Sequence, residues 1–552
     1  MRAVTLALGV ALSALFAWVV IARFANPVDA EWMTGAVRDT VERVRDGKPI
    51  YIAPAAEFIP FLYTPIYYWL AGALAHVTSV FVACKLVSLA ATAATAFGIA
   101  RIATRLGAGR FWAAVAVLLH LGTYSVTLFF YDLERVDATG AAFVVLGVLL
   151  LLGEGLASTV AGGVVLGLAF FAKQPGLLAF AAAIAGLVAA REKRRALVAV
   201  VAGGVAFVLL FAYLELTTGP WFRYYTVKLP GSHGVEPALI STFFIADVPK
   251  VFLLAAGSVA IVAPVIAAFV RGRGRAADVE WRDVVFAAVV AGGLLGAFSL
   301  RSHRGGWANV ILAWTPLACT AVAVAASRAE RLARGTRGEH LVPVALLAAV
   351  ALQLLGGAFD PNDSAPSADD RHATEAFRRY VRRLEESGEV IVTTAGNVTR
   401  SSHFHAAALF DVLRANEPAP AEYLASLRER RFAALVVGAP DEFGCKTTAC
   451  AELSDATLRN YFVAARFEER PIGMIGFDGR ARWVMRPRKT PLVDMPRGVL
   501  EDRIRMEMGL ADMRRIAAKP GADVGPDDEI EEIAAAPDHR WRTAGGGKSA
   551  SP

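Results

Sequence analysis

The chain has 552 residues, 55% of them hydrophobic and 19% charged, with a mean hydropathy of +0.46 and a formal net charge of +7. That is too apolar for a soluble protein of this size, and the apolar residues fall in long runs, so the chain reads as a polytopic membrane protein. The basic residues sit in short loops between those runs, which excludes nucleic acid as a partner and makes charge a guide to topology instead.

The first apolar run, Val4 to Ala22 after Arg2, is long for a cleaved signal peptide, and ten further runs follow; it reads as a retained signal anchor. Next comes a loop, residues 26–60, holding Asp29 and Glu31 within a few residues of the expected membrane exit, then a short amphipathic stretch. Residues 60–80 read as an interfacial segment rich in Pro and Tyr. Further spans are expected at about 82–104, 111–130, 138–153, 158–172, 176–190, 196–216, 250–270, 283–300, 307–326 and 341–357, which makes about eleven with the first. Nothing resembles the alternating strands of an outer-membrane barrel.

Four basic clusters, at 101–110, 191–195, 271–275 and 328–337, fall on one side if the first helix runs outward. The positive-inside rule makes that side, and the N-terminus, cytoplasmic. The loops at 26–60, 131–137, 217–249 and 301–306, with Lys173 and everything after residue 358, are then extracytoplasmic. Residues 359–371, rich in Asp, Ser and Pro, form a linker. Between 372 and 488, strands such as EVIVTTA and FAALVVGA alternate with amphipathic helices, which implies a small α/β domain. The tail from 489 to 552 reads as largely disordered. Cys445 and Cys450 in CKTTAC are placed to close a small disulfide if that region is extracytoplasmic, whereas Cys84 and Cys319 read as core residues. Asn397 heads a glycosylation-like triplet, and His403 and His405 in SHFHA, without a third ligand, read as surface residues.

Chemistry points to the outer face. Asp29 and Glu31 stand in one loop, and Asp132, Glu134 and Asp137 in another, each set hard against a helix end. A carboxylate there accepts a proton from an attacking hydroxyl or holds a metal ion against a phosphate. Arg135 is placed to pair with a neighbouring acid and order the loop. Lys173, Arg301, His303 and Arg304 are the cationic complement, suited to a lipid phosphate, although Lys173 also reads as a snorkelling residue. Gly305, Gly306 and Asn309 suit a helix start that binds an anion, and Tyr63, Tyr67, Tyr68 and Trp69 suit either a substrate wall or an interfacial aromatic belt.

The order of these parts resembles the GT-C glycosyltransferases, in particular the family 39-like branch of protein O-mannosyltransferases and lipid A aminoarabinose transferases. The segments that carry the resemblance are GKPIY, PFLYTPIYYWLAGAL, LERVDATGAAFVVLGVLLLL, GLAFFAKQPGLL and HRGGWANVIL, covering most of residues 26–320. The family usually shows adjacent Asp-Glu in the first loop, where this chain has Asp29-Ala-Glu31. The resemblance implies an all-α transmembrane bundle, residues 1–358, with a periplasmic α/β domain in a bacterial inner-membrane enzyme. It implies a hexosyl or pentosyl transferase moving sugar from a polyprenyl-phosphate carrier, among membrane lipids, to an acceptor lipid, glycan or protein. Glu31 (or Asp29) would be the general base and Asp137 (or Asp132) the second acid, near the acceptor or a divalent Mg or Mn. Lys173, Arg301, His303 and Arg304 would face the donor phosphate, with Tyr63, Tyr67 and Asn309 toward substrate. The alternative is a transporter or lipid flippase, against which stand the absence of an inverted repeat and the gathering of charge at one face.

Overall fold

The computed structural model describes residues 1–270, 279–396, 398, 399, 403–440, 446–467, 483–513, 515 and 516. Each of the eleven predicted runs is helical. The N-terminal part comprises α1 (Arg2–Ala25), α2 (Thr34–Arg45), α3 (Ile66–Leu74), α4 (Val80–Arg105), α5 (Arg110–Gly122), α6 (Asp137–Leu151), α7 (Gly155–Ala172), α8 (Gly176–Ala189) and α9 (Lys193–Thr218). A continuous helical run Pro237–Val270 and helices Trp281–Arg301, Thr315–Ala333 and Leu341–Gly356 complete the bundle. Six of these are long and apolar enough to cross a membrane, seven with one bent pair that begins at Leu341, while α5, α6 and α8 are apolar but shorter. The expected eleven full spans are thus eleven helices of unequal reach. The run predicted at 111–130 stops at Gly122, and the one predicted at 307–326 begins only at Thr315 after a 3₁₀ turn at Ala308–Ala313. The protein is a multi-pass membrane protein.

Small residues let the helices approach. A Cβ on Gly163 in α7 would lie 2.6 Å from the Ala199 carbonyl oxygen of α9, so the backbones touch where lipid-like packing alone drives association. The basic loops gather at one end: Arg105 donates to the Leu149 carbonyl, Arg195 to that of Gly153 (3.0 Å), Arg282 to that of Leu152 (3.0 Å) and Arg331 to that of Gly107 (2.8 Å). Because α6 runs from Asp137 to this end, its acidic start lies at the opposite one. The amphipathic α2 buries Val37 and Val41 and ends on Arg43 and Arg45, cations favoured at a helix C-terminus.

The C-terminal part is a five-stranded sheet, β1 (Val390–Val392), β2 (Ala434–Val437), β3 (Tyr461–Phe467), β4 (Trp483–Pro487) and β5 (Arg515–Ile516), in the order β1-β2-β4-β3-β5. β1 and β2 are parallel, as the alternation of strand and helix implies; β4 runs antiparallel to β2 and β3, so the sheet is mixed. The described part of the tail holds the helix Arg497–Met513, whose Glu507 is fully buried against Arg488 at 2.7 Å and accepts from the Val463 amide; residues after 516 lie outside the described residues. Cys84 and Cys319 are free and buried, and Cys450 is disulfide-bonded; Cys445 and Asn397 lie outside the described residues.

One apolar core joins the two parts. It runs from Met33, Val37 and Tyr51 of the first outer loop through Tyr67 and Tyr68 to Leu409, Val412 and Leu413 of the helix Ala406–Arg414. The α/β domain therefore sits directly on the loop that carries Asp29 and Glu31.

Candidate active site

The loop between α5 and α6 leaves its helix through Leu128 and Phe129, both at positive φ (56° and 61°). For a residue with a side chain that costs roughly 1–2 kcal/mol, and it turns the following acids back over the bundle. One face of α4 then grips the loop. Lys85 Nζ donates to the Asp132 carbonyl (3.0 Å), Ser88 Oγ to that of Leu133 (2.6 Å) and Thr92 Oγ1 to that of Tyr131 (2.7 Å). Residues 85, 88 and 92 lie at helical spacing, so three polar side chains on one face of α4 meet three successive carbonyls.

The charged groups fall into two clusters. In the first, Arg23 and the Tyr124 hydroxyl each reach Asp132 at 2.6 Å, Lys85 lies 3.6 Å from Asp132 and 3.3 Å from Glu134, and Arg38 bridges Glu134 (3.4 Å) and Asp29. Burial alone would raise the Asp132 carboxyl, but Arg23, Lys85 and the Tyr124 hydroxyl hold it below the usual carboxylate range. Asp132 is fully buried, and its ion pairs anchor the loop to α1 and α4.

In the second cluster, Arg135 meets both oxygens of Glu31 at 3.1 Å, the Tyr63 hydroxyl, and Asp137 at 3.9 Å. Lys173 closes on Asp137 Oδ1 at 2.5 Å, and Asn309 Nδ2 donates to the same oxygen at 2.9 Å. Glu31, Asp137, Lys173, Asn309 and Tyr63 thus come together around one guanidinium. Burial pushes the Glu31 carboxyl up to about 7, against the pull of Arg135 and of the Met33 amide that donates to it. Such a group changes charge near neutrality.

The remaining expected residues lie elsewhere. Arg301 is bound through Nε to Asp247 (2.6 Å) and through Nη1 to the Gly306 carbonyl (2.5 Å). His303 packs beside His233, which lies 3.2 Å from Asp411 of the α/β domain, and Arg304 is exposed near Glu236. Tyr67 is fully buried with its hydroxyl on the Cys84 carbonyl (3.1 Å), and Tyr68 is buried beside it, both within the apolar core. His405 is also buried, correcting the surface reading; its Nδ1 caps the helix Ala406–Arg414 and its Nε2 lies 2.9 Å from the Trp32 carbonyl. His403 is likewise inside, with burial holding its ring down at about 4. Sequence reasoning passed over Arg23, Arg38 and Lys85. For Arg23 and Lys85 the signal that would have found them is a cation inside or at the end of an apolar helix, which a membrane tolerates only with a partner; Arg38, on the amphipathic α2, carries no such signal.

The expected divalent metal does not fit this donor set. Asp29, Glu31, Asp132, Glu134 and Asp137 are each paired with Arg38, Arg135, Arg23, Lys85 or Lys173, leaving no net negative charge for a dication to neutralise. No group of three or more metal-ligating side chains occurs among the described residues. A groove of about 990 Å³, lined by none of these acids, opens between Trp221, Arg223, Tyr224 and Lys228 after α9 and the 417–428 stretch of the α/β domain.

A helical bundle with its acids on the first outer loop and on the start of α6, capped by a mixed-sheet domain, is a fold that solved structures share. Among solved structures, the chain is similar to the crystal structure of ArnT from Cupriavidus metallidurans bound to undecaprenyl phosphate, with a TM-score of 0.53 and 14% identity over 87% of this chain and 97% of that one. The apo state of the same protein matches with a TM-score of 0.53 and 12% identity over the same shares. No family model matches the chain, and no curated protein matches its sequence.

Proposed function

We propose that this protein is a bacterial inner-membrane transferase that moves a hexosyl or pentosyl group from a polyprenyl-phosphate carrier to an acceptor lipid, glycan or protein on the periplasmic face. The N-terminus is cytoplasmic and the α/β domain periplasmic, in keeping with the basic loops gathered at the other end of the bundle. The observation that carries the reading is Glu31, a buried carboxylate poised near neutrality against Arg135, one residue pair away from Lys173. The similarity to a fold that holds undecaprenyl phosphate supplies the donor class.

The chemistry follows from charge. The acceptor oxygen attacks the anomeric carbon, its proton passes to a Glu31 oxygen, and the bond from sugar to phosphate oxygen breaks to release the polyprenyl phosphate. The leaving phosphate gains one negative charge as Glu31 loses one. The cluster of Glu31, Asp137, Arg135 and Lys173 therefore turns from neutral to singly positive as the anion forms, and this field needs no rearrangement of the site. Lys173 and Arg135 act on the phosphate side; Asp137, itself held by Asn309, holds Lys173; Tyr63 lines the site through Arg135. Asp29, bound to Arg38 and more exposed than Glu31, is the second candidate base. The groove at Trp221 and Tyr224, with aromatic faces and the cations Arg223 and Lys228, suits the acceptor.

The test is transfer of radiolabelled sugar from polyprenyl-phosphate donors by membranes carrying wild-type protein or the Asp29→Ala, Glu31→Ala double variant. Label leaving its carrier only with wild type supports the reading. Lipid or solute movement in vesicles without transfer would replace it with the transporter.

A further inference from the structure

We infer that the α/β domain positions the catalytic loop through His405, which makes His405 a positioning residue for the transfer reaction. The inference rests on the proposed role of Glu31. The Ala407 amide can only donate, so His405 Nδ1 accepts from it (3.1 Å). The Trp32 carbonyl can only accept, so Nε2 carries the proton and donates to it (2.9 Å). Together these bonds define one neutral tautomer, and one imidazole joins the helix of one domain to the residue that follows Glu31 in the other. The ring is fixed on both sides, with Trp32 edge-on at 5.3 Å and Phe61 tilted at 5.8 Å.

Backbone contacts extend the grip over both arms of the loop. The Phe404 amide donates to the Ala56 carbonyl (3.3 Å), and the Ala56 amide donates to Glu422 Oε1 (2.9 Å). Gly35 and Gly396 pack backbone to backbone: a Cβ on Gly35 would lie 2.6 Å from the Gly396 nitrogen and 3.0 Å from an Asp29 carboxylate oxygen. Glu31 takes its place within this clamp by accepting from the Met33 amide (3.0 Å) while its own carbonyl accepts from Thr34. Freeing the Trp32 carbonyl therefore loosens the turn that aims Glu31 at Arg135.

Two variants separate the clamp from the fold. Asn is a good N-cap but too short to reach the Trp32 carbonyl, so His405→Asn keeps the helix cap and removes the tether. His405→Gln restores reach. Amide hydrogen exchange on the full-length protein in detergent is the first readout and needs no substrate. In His405→Asn, the amides of Met33 to Val37 are expected to exchange about tenfold faster, as the loss of one ordinary hydrogen bond allows. Those of Ile391 and Leu435 in the sheet should be unchanged, and His405→Gln should return the loop toward wild type. Loop amides as protected in His405→Asn as in wild type, or loop and sheet amides accelerated together, overturn the clamp.

The second readout is turnover of an undecaprenyl-phosphate-linked sugar. His405→Asn should lower kcat about tenfold to a hundredfold with little change in donor KM, the signature of misplacement rather than lost binding. A raised KM at unchanged kcat overturns the positioning role. The control is Glu31→Gln: if it turns over like wild type, the proposed base is wrong, whereas the exchange result still decides whether His405 holds the loop.

Discussion

Glu31→Gln removes one ionisable group and almost no volume. The amide oxygen can still accept from the Met33 amide and from Arg135, and Arg135 keeps the Tyr63 hydroxyl and Asp137 at 3.9 Å. A positioned general base contributes about 10²–10⁴-fold, or roughly 3–5 kcal/mol of barrier, so kcat should fall by that factor while donor KM changes little. The pH dependence sharpens the test. Burial raises the Glu31 carboxyl from 4.5 to about 7, so between those values the folded protein holds a proton that the unfolded chain has lost. Its contribution to stability is therefore fully present below pH 4.5 and is lost as pH rises through about 7, on the order of 3 kcal/mol across the interval. Wild-type turnover should in turn rise with pH through about 7, where the base becomes free to accept a proton. Gln titrates in neither state, so in the variant both the rate limb and this part of the stability slope should vanish. The assay is sugar release from an undecaprenyl-phosphate donor between pH 5 and 9, run beside thermal unfolding in the same buffers. Wild-type kcat in Glu31→Gln, or a limb near 7 that persists in it, would refute the reasoning.

Asp137→Asn leaves Arg135 to Glu31 alone and removes a negative neighbour that raises it, so the acid limb of the pH–rate profile should move to lower pH while kcat drops. Gly35→Ala drives a methyl group into the Gly396 backbone and should speed loop amide exchange as His405→Asn does. Glu507→Ala leaves Arg488 charged in a fully buried position and should destabilise the α/β domain by about 3–5 kcal/mol, read as a lower unfolding midpoint for the C-terminal part. Acidification acts on His405 as well. Burial lowers its ring to about 4, so the stability that its neutral form contributes is present above about 6.5 and lost as pH falls toward 4, visible as lower protection of the loop amides at pH 5 than at pH 7 once the intrinsic slowing of exchange in acid is divided out.

The sequence by itself determined the membrane class, the eleven helical runs, the gathering of charge at one end, and the presence of a small α/β domain. These depend on local apolar periodicity and on the cost of burying charge, both of which a linear chain displays. It also singled out Glu31, Asp137, Lys173 and Asn309, because acids and cations beside helix ends are costly enough to be conspicuous. Only the tertiary structure decided how they meet. Arg135 stands between Glu31 and Asp137 because the strained turn at Leu128 and Phe129 and the polar stripe of α4 aim the loop, and no spacing in the chain encodes that aim. Arg301 and Tyr67 find partners that the sequence does not announce, Asp247 and the Cys84 carbonyl, because those partners are distant in the chain. His405 looked like a surface residue for the converse reason: its partner is the Trp32 carbonyl, 373 residues away, and backbone atoms carry no sequence signature. A group's solvation and charge state depend on what is packed against it, and that is settled only when the chain is folded.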